Sequence, residues 1–138
     1  MATKTKIQKL FEKAWKLQSE YVRKRDSDSF TELAQCCTCN IVKPRKEMHA
    51  GHYRHRYLDF HEKNVHAQCS GCNTYRSGEL DKYTLFLINK YGVEVIDELD
   101  QAFKAHKLKQ DKTGKKYTVE ELELIIIGLK EKINALRD

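Results

Sequence analysis

Two Cys-x-x-Cys pairs constrain the fold of this chain more than any other feature of its sequence. The first pair is Cys36 and Cys39, and the second is Cys69 and Cys72. Four thiolates at this spacing can close a tetrahedral zinc site, and bound zinc stabilises segments that hold too few apolar residues to fold alone. We therefore predict that structural zinc organises residues 36–73. The competing interpretation is a set of reduced thiols without a metal.

A fifth cysteine leaves the first zinc ligand open. Cys37 lies directly beside Cys36, so either thiol can head the first pair. The two-residue spacer of a zinc knuckle favours Cys36 and leaves Cys37 as the spare thiol. In a reducing compartment we expect neither thiol to form a disulfide.

The composition describes a soluble chain with a modest core. Among the 138 residues, 40% are apolar and 33% are charged. No apolar run reaches the ~20 residues that span a bilayer, and the N-terminus has no signal-peptide core. We therefore expect a cytoplasmic protein that does not enter membranes. The net charge of +6 favours a polyanionic partner, although an ordinary basic protein has the same balance.

Helical periodicity appears on both sides of the cysteine pairs. One apolar stripe predicts a helix over residues 4–25. After the last cysteine, a stripe over residues 80–91 ends at Gly92, and a second stripe begins at Val93. The lysines that follow, between residues 104 and 117, predict a basic loop.

The last helix has a clear start in the sequence. Thr118 and Glu121 form the signature of a capping box, in which each side chain bonds the other residue's backbone N–H. Apolar residues then recur at heptad-like spacing, but two heptads are too few to establish a coiled coil. We favour packing of this helix onto its own chain, and a dimer seam is the alternative.

The segment between the helices shows no helical stripe. Residues 41–42, 48–49 and 64–68 have the character of short strands. The sequence therefore predicts one α+β domain over residues 1–138, with a zinc-bound core flanked by N- and C-terminal helices. The predicted parts are the N-terminal helix, the zinc-bound core and the C-terminal helices, over residues 4–25, 35–80 and 80–138.

Two polar residues beside this frame suit phosphodiester hydrolysis. His52 follows a glycine at the exit of a predicted strand, and a neutral histidine can take a proton from water near pH 7. Asn73 opens a predicted helix beside the zinc ligand Cys72, and its carbonyl oxygen suits Mg²⁺ or Mn²⁺. We expect zinc to bring both residues to one phosphate within a ββα unit. The alternatives are a structural histidine and a helix-capping asparagine.

The order of His52, Asn64 and Asn73 resembles that of the HNH, or ββα-metal, nucleases. The resemblance implies a nuclease core in which His52 is the general base and Asn64 orients it. It also implies that Asn73 binds the catalytic metal ion, with His52 placed at the same ion.

One position departs from the HNH pattern. Many HNH nucleases carry an aspartate metal ligand where this chain has Gly51. The second ligand of the catalytic metal therefore stays open among four residues: His49, His55, Asp59 and His66. His66 is also a candidate for catalytic contact, because strand alternation is expected to bury it beside the site.

A closer resemblance is to the NinG/Rap recombination endonucleases of lambdoid phages. It rests on Ala50-Gly51-His52-Tyr53 and on Asn-x-His-x-Gln-Cys-x-x-Cys-Asn over residues 64–73, and it extends over residues 15–138. It implies a structure-selective DNA endonuclease that cuts branched intermediates such as Holliday junctions and D-loops. A phage-encoded enzyme of this kind works in the cytoplasm of the host cell. Relative to the lambda-like members, we expect this chain to lack a cysteine-rich N-terminal extension and any targeting that it carries.

Basic side chains near these motifs are the predicted DNA contacts. We assign phosphate contacts to six residues: Arg54, Arg56, Arg76, Lys104, Lys107 and Lys109. The alternative for each is a solvated charge. Rival functions for the whole chain are a zinc-stabilised DNA-binding module without catalysis and an adaptor for protein contacts. Because symmetric cutting of a four-way junction needs two active sites, we expect a homodimer with helix 118–138 or 5–25 at its seam.

Overall fold

The computed structural model describes residues 3–136, in which one helix is followed by four short strands and then by three helices. The helices are α1 (Lys6–Arg25), α2 (Leu80–Tyr91), α3 (Glu94–Thr113) and α4 (Val119–Ala135). The strands are β1 (Leu33–Gln35), β2 (Val42–Pro44), β3 (His49–His52) and β4 (Val65–Gln68). A 3₁₀ turn covers Arg45–Glu47, and a π-helical turn covers Gly71–Tyr75. The predicted α+β class is confirmed.

An antiparallel hairpin of β3 and β4 lies at the centre of the molecule. Gly51 is opposite His66, and His52 is opposite Val65. Because side chains alternate between the faces of a strand, His52 and Val65 share one face, and His66 lies on the other. All four residues of β4 are buried, so both faces of the hairpin are covered.

The two terminal helices cover one face of the hairpin. α1 begins with a capping box between Thr5 and Gln8, and its apolar stripe faces inward. Val22 is fully buried and belongs to one cluster with Val65 of β4 and Leu129 of α4. The apolar stripe of α4 therefore packs against α1 and the hairpin of the same chain, as we favoured from the sequence.

The second face of the hairpin is covered by α2. Tyr83 and Leu87 of this helix are fully buried and pack with Leu99 of α3. The Tyr83 hydroxyl donates to the backbone oxygen of Gly51 at 2.7 Å, which ties α2 to β3. α2 ends at Gly92, whose φ of 95° suits a residue without a side chain.

A smaller hairpin of β1 and β2 lies next to the cysteines. Ala34 pairs with Lys43, and Ala34 is buried in a cluster with Ala67 and four other residues around the knuckles. The amide of Cys37 donates to the carbonyl of Ala67 at 3.0 Å, which joins this hairpin to the central one. The segment that forms β1 was not predicted as a strand, because three residues are too few for a periodic signal.

Two sequence predictions about helix boundaries are wrong. The predicted basic loop over 104–117 is helical to Thr113, because its lysines stand among alanine, leucine and glutamine, which are good helix formers. α3 ends only at Gly114, which adopts the left-handed conformation with φ 74°. Asn73 does not open the next helix either, since it lies in the π-helical turn and α2 begins at Leu80.

The capping box at the start of the last helix is confirmed. Thr118 accepts from the amide of Glu121, and the Glu121 carboxylate accepts from the amide of Thr118. Within residues 3–136, every helix is too short or too polar to cross a bilayer.

Candidate functional site

The four predicted zinc ligands lie together. The Sγ atoms of Cys36, Cys39, Cys69 and Cys72 are all within 4.8 Å of one another. Each pair forms a knuckle in which the amide of the second cysteine points at the sulfur of the first, at 3.5 Å and 3.4 Å. N–H donors favour the thiolate form that binds metal. Four sulfurs at this separation can hold a tetrahedral zinc ion.

The structure separates Cys36 from its neighbour Cys37. Cys37 points away from the knuckles and is buried in the cluster with Tyr83 and Leu87, where burial raises the pKa of its thiol. Burial of Cys36 acts to raise the pKa of its thiol. Hydrogen bonds from the Cys69 amide and the Thr38 hydroxyl have a larger, opposite effect, so the pKa falls to about 6. Cys36, which the spacer favours, is therefore the thiol of this pair that is placed to bind zinc.

His52 forms a hydrogen bond to a buried carboxylate at the exit of β3. Its Nε2 lies 3.0 Å from Oδ1 of Asp59, and the other carboxylate oxygen accepts from Lys116 at 3.0 Å and from the Tyr117 hydroxyl at 3.3 Å. Burial acts to raise the pKa of Asp59. The contacts with His52 and Lys116 have a larger, opposite effect, so the pKa of this carboxyl lies well below its usual value. An ionised carboxylate can only accept, so Nε2 is the donor, and a neutral imidazole presents its lone pair at Nδ1.

Aromatic rings fix the plane of His52. The indole of Trp15 in α1 stacks on the imidazole at 4.7 Å between centroids, and the ring of His55 stacks on it at 5.6 Å. The His52 side chain keeps 18% of its surface exposed. The ring is therefore held in place by its neighbours and remains open to water at one edge.

Asn64 positions the loop that carries Asp59. It is fully buried, and its amide accepts from the backbone N–H of Arg54 at 2.9 Å. It also donates to the backbone oxygens of Arg54 and Leu58, at 3.0 and 3.1 Å. Asn64 thus bridges the two ends of the segment between His52 and Asp59, and it contacts the backbone rather than the imidazole.

Asn73 lies beside His49 and away from His52. The Asn73 amide nitrogen is 3.0 Å from Nδ1 of His49. His49 and His52 are three positions apart on β3, so their side chains leave opposite faces of the hairpin. The expectation that zinc brings His52 and Asn73 to one phosphate is therefore not met by this geometry.

The donor set for a catalytic divalent ion is incomplete around these residues. Of the four candidates for the second ligand, His49 is the one in contact with Asn73. Within residues 3–136, the four cysteines are the one group of three or more histidine, cysteine or carboxylate ligands close enough to hold a metal. Mg²⁺ usually needs more oxygen ligands than one asparagine supplies.

Gly51 has no room for the aspartate that many HNH nucleases carry at this position. A Cβ atom at Gly51 would lie 2.1 Å from Oε1 and 2.9 Å from Cβ of Gln68. Gln68 is fully buried and donates to Gly78 and Thr38, at 2.8 and 3.1 Å, so it cannot move aside easily. The departure from the HNH pattern therefore has a packing cause.

His66 is buried, but not beside His52. It faces α2, where Nε2 lies 2.8 Å from the Tyr91 hydroxyl and the ring packs against Phe86. Burial lowers the pKa of His66 to about 3, so the ring is neutral. The expected position of His66 beside His52 is wrong, because strand alternation places this side chain on the opposite face, and its catalytic or metal contact stays a prediction.

The predicted DNA contacts are mostly held in ion pairs. Arg54 bonds Asp100 at 2.9 Å and lies 4.0 Å over the ring of Phe103, so it docks the loop after β3 onto α3. Arg76 donates to the sulfur of Cys72 at 3.6 Å. The three lysines lie on helix α3 and pair with carboxylates: Lys104 with Asp100, Lys107 with Asp111, and Lys109 with Glu121. Arg56 is exposed in the loop after β3.

Sequence reasoning missed most of the surroundings of His52. Asp59 was considered only as a metal ligand, and Trp15, Lys116 and Tyr117 were not singled out. A carboxylate seven positions after a candidate base is a weak signal that could have been followed. The other three residues carry no local signal, because they reach His52 or Asp59 only through tertiary packing.

Comparisons with known proteins cover nearly the whole chain. The family model described as "Bacteriophage Lambda NinG protein" matches residues 2–138. The chain is 32% identical over 122 residues to "Protein ninG" of Salmonella phage P22, and 33% identical over 122 residues to that of Escherichia phage 933W. Each alignment covers 86% of this chain and 53% of the relative, so the chain spans about half the length of the curated relatives it matches. No solved structure matches it. With nearly all of its residues matched by the family model, the chain belongs to the NinG family of phage proteins.

Proposed function

We propose that this protein is an endonuclease that hydrolyses phosphodiester bonds in branched DNA, with His52 as the general base. The observation that carries the proposal is the hydrogen bond of 3.0 Å between His52 Nε2 and the buried carboxylate of Asp59. A base held by a second group that orients it is the usual arrangement for activating a nucleophile. The net charge of +6 is consistent with a DNA substrate.

Each contact of His52 has a part in the proposed reaction. Nδ1 accepts a proton from the attacking water, and the imidazolium that forms is stabilised by the Asp59 carboxylate. Lys116 and Tyr117 keep that carboxylate ionised and in position. Trp15 holds the ring plane by stacking, so the lone pair keeps one direction. Asp59, Lys116 and Trp15 are positioning residues that act through His52.

The predicted Mg²⁺ or Mn²⁺ ion has only a partial site in these residues. Asn73 and His49 supply two donors, on the face of the hairpin opposite His52. The proposed proton transfer to His52 therefore needs no divalent ion, and dependence of cleavage on Mg²⁺ or Mn²⁺ is measured in the experiment below. Zinc at the four cysteines has a structural role in this proposal, because the thiols fill all four positions of a tetrahedral ion.

A second candidate is a zinc-stabilised DNA-binding module without catalysis. It is favoured by the same separation of Asn73 from His52, which leaves the HNH-like donor set unassembled. The two candidates differ in one measurable outcome, since only the nuclease gives a cut product.

The test is cleavage of an end-labelled four-way junction beside a matched linear duplex, in Mg²⁺, in Mn²⁺ and without added divalent ion. We expect His52→Ala to abolish cutting while it retains DNA binding. His61→Ala is the matched control, because His61 lies outside the His52 contacts and bonds the amide of Lys63. Asp59→Asn is expected to lower the cleavage rate and to change its pH profile, since it removes the charge that stabilises the imidazolium. Unchanged cutting by His52→Ala would refute the proposal.

A further inference from the structure

The turn between α1 and β1 exposes an aromatic side chain. Phe30 has 95% of its surface exposed, the largest exposed fraction among the large apolar residues of the described chain. Its side chain therefore lies outside the hydrophobic core. One exposed apolar side chain is ordinary on a protein surface, whereas several together beside polar groups commonly mark a binding surface.

The turn that carries Phe30 is ordered by its own hydrogen bonds. The carboxylate of Asp28 accepts from the amides of Phe30 and Thr31, both at 2.8 Å. The amide of Asp28 donates to the carbonyl of Leu33 at 2.9 Å, and the amide of Glu32 donates to the carbonyl of Asp28 at 2.8 Å. Phe30 is therefore held outward by a closed turn.

The outer face of the small hairpin continues this apolar surface. Leu33 and Val42 lie on the same face of β1 and β2 by register, and both are exposed. We name the exposed side chains of Phe30, Leu33 and Val42 the apolar ridge.

A basic groove lies directly beside this turn. Its volume is about 450 Å³, and its charged lining comprises three basic side chains and one carboxylate: Lys24, Arg25, Arg45 and Glu32. Ser27 and Ser29, from the turn itself, form one wall. Arg45 donates to Ser27 and Glu32, at 3.3 and 3.2 Å, so the groove and the turn form one unit. Arg25 is held by the Asp26 carboxylate at 2.7 Å, so Lys24 and Arg45, with the two serine hydroxyls, are the groups of this groove that suit backbone phosphates.

We propose that Phe30 is a wedge that inserts between bases at the branch point of a DNA substrate, while the basic groove beside it holds the adjacent phosphates. Apolar wedges of this kind unstack a base step, and they do so most easily where bases are already unpaired. A branch point interrupts the stacking of neighbouring bases, so a wedge costs less there than in an intact duplex, and Phe30 gives selectivity for DNA structure. The proposal rests on the proposed function only in taking DNA as the ligand.

The test measures binding without cleavage, in the His52→Ala background. The probe is a four-way junction with 2-aminopurine beside the branch, compared with a linear duplex that carries the same label. We expect binding to the junction to raise 2-aminopurine emission, and Phe30→Ala to abolish this rise. Loss of one stacked base is expected to weaken junction affinity by roughly 5- to 100-fold, with duplex affinity unchanged.

Two further variants make the result specific. Phe30→Trp keeps a planar ring and is expected to retain the emission change. Leu124→Ala removes an apolar side chain of α4 that is 69% exposed, and it is expected to bind as the parent does. Because Phe30 is exposed, circular dichroism of Phe30→Ala should match that of the parent.

The outcomes separate this inference from the nuclease proposal. Equal junction affinity and emission for Phe30→Ala and its parent would overturn the wedge, and the ridge would then be a surface for protein contacts. Loss of junction and duplex affinity together would also overturn it, since that is phosphate binding without selectivity. If the emission change holds while the wild-type chain cuts no DNA, the wedge stands and the nuclease proposal falls. No junction binding by the parent would overturn both.

Discussion

Replacing Asp59 by asparagine should lower the stability of the fold as well as the rate of the proposed reaction. The carboxylate is buried and has three polar partners, which are His52, Lys116 and Tyr117. Asparagine keeps the shape of the side chain but removes its charge. Its NH₂ group cannot accept a hydrogen bond, so one of these three donors loses its acceptor. A hydrogen bond to a charged group contributes ~1.5–3 kcal/mol, whereas the ion pair with the partly exposed Lys116 contributes at most ~1 kcal/mol. We expect a loss of about 2–3 kcal/mol in the free energy of unfolding.

The assay is urea unfolding of zinc-saturated protein, followed by circular dichroism at pH 7. With a urea m-value of roughly 1.5–2 kcal/mol/M, the expected loss moves the midpoint by about 1–2 M. Glu123→Gln is the control, because it removes a carboxylate from an exposed position of α4. A loss below about 0.5 kcal/mol for Asp59→Asn would show that the carboxylate is not held as the structure indicates.

The pH dependence gives a second check on Asp59. Its folded pKa lies below the unfolded value of about 3.9, so the stabilisation is present above the unfolded pKa and is lost as pH falls through the folded one. The difference between wild type and Asp59→Asn should therefore persist from pH 8 down to pH 5 and shrink only at lower pH. Taking the difference removes the contribution of zinc release, which the two proteins share. A difference that vanished between pH 8 and pH 6 would contradict this assignment.

Two further predictions concern the knuckles and the central hairpin. Cys36→Ser should reduce the zinc content of the protein, measured by a chromogenic chelator after unfolding. Cys37→Ser should keep one zinc per chain, because Cys37 points into the apolar core. Equal loss of zinc in both variants would contradict the ligand set. Gly51→Ala should lower the free energy of unfolding by ~1–3 kcal/mol, because its Cβ meets Gln68, and an unchanged urea midpoint would show that Gln68 can move.

Local sequence patterns were sufficient for the frame of the molecule. Cysteine spacing identified the four thiols that meet, and helical periodicity located α1 and α4 with the capping box at Thr118. These features depend on residues a few positions apart. The helical extension of α3 was missed because a run of lysines was interpreted as a loop, although lysine is a good helix former.

The candidate site was harder to predict because it depends on which face each side chain occupies. Motif order placed His52, His66 and Asn73 together, but strand alternation sends His66 to the face of α2, and Asn73 contacts His49. Adjacency to a zinc ligand fixes the backbone of Asn73 and not the direction of its side chain. Tertiary packing determines that direction, and residues nearby in the sequence do not indicate it.

The contacts of His52 also bear on the order of events during folding. Trp15 and Lys116 stand 101 positions apart in the chain, yet both belong to the same cluster around His52 and Asp59. Closing so long a loop is slow compared with forming the knuckles from nearby segments. A molecule that has folded around its cysteines but has not yet joined α1 to the segment before α4 therefore holds an unaligned base. In the nuclease that we propose, a chain at that stage would not yet cut DNA.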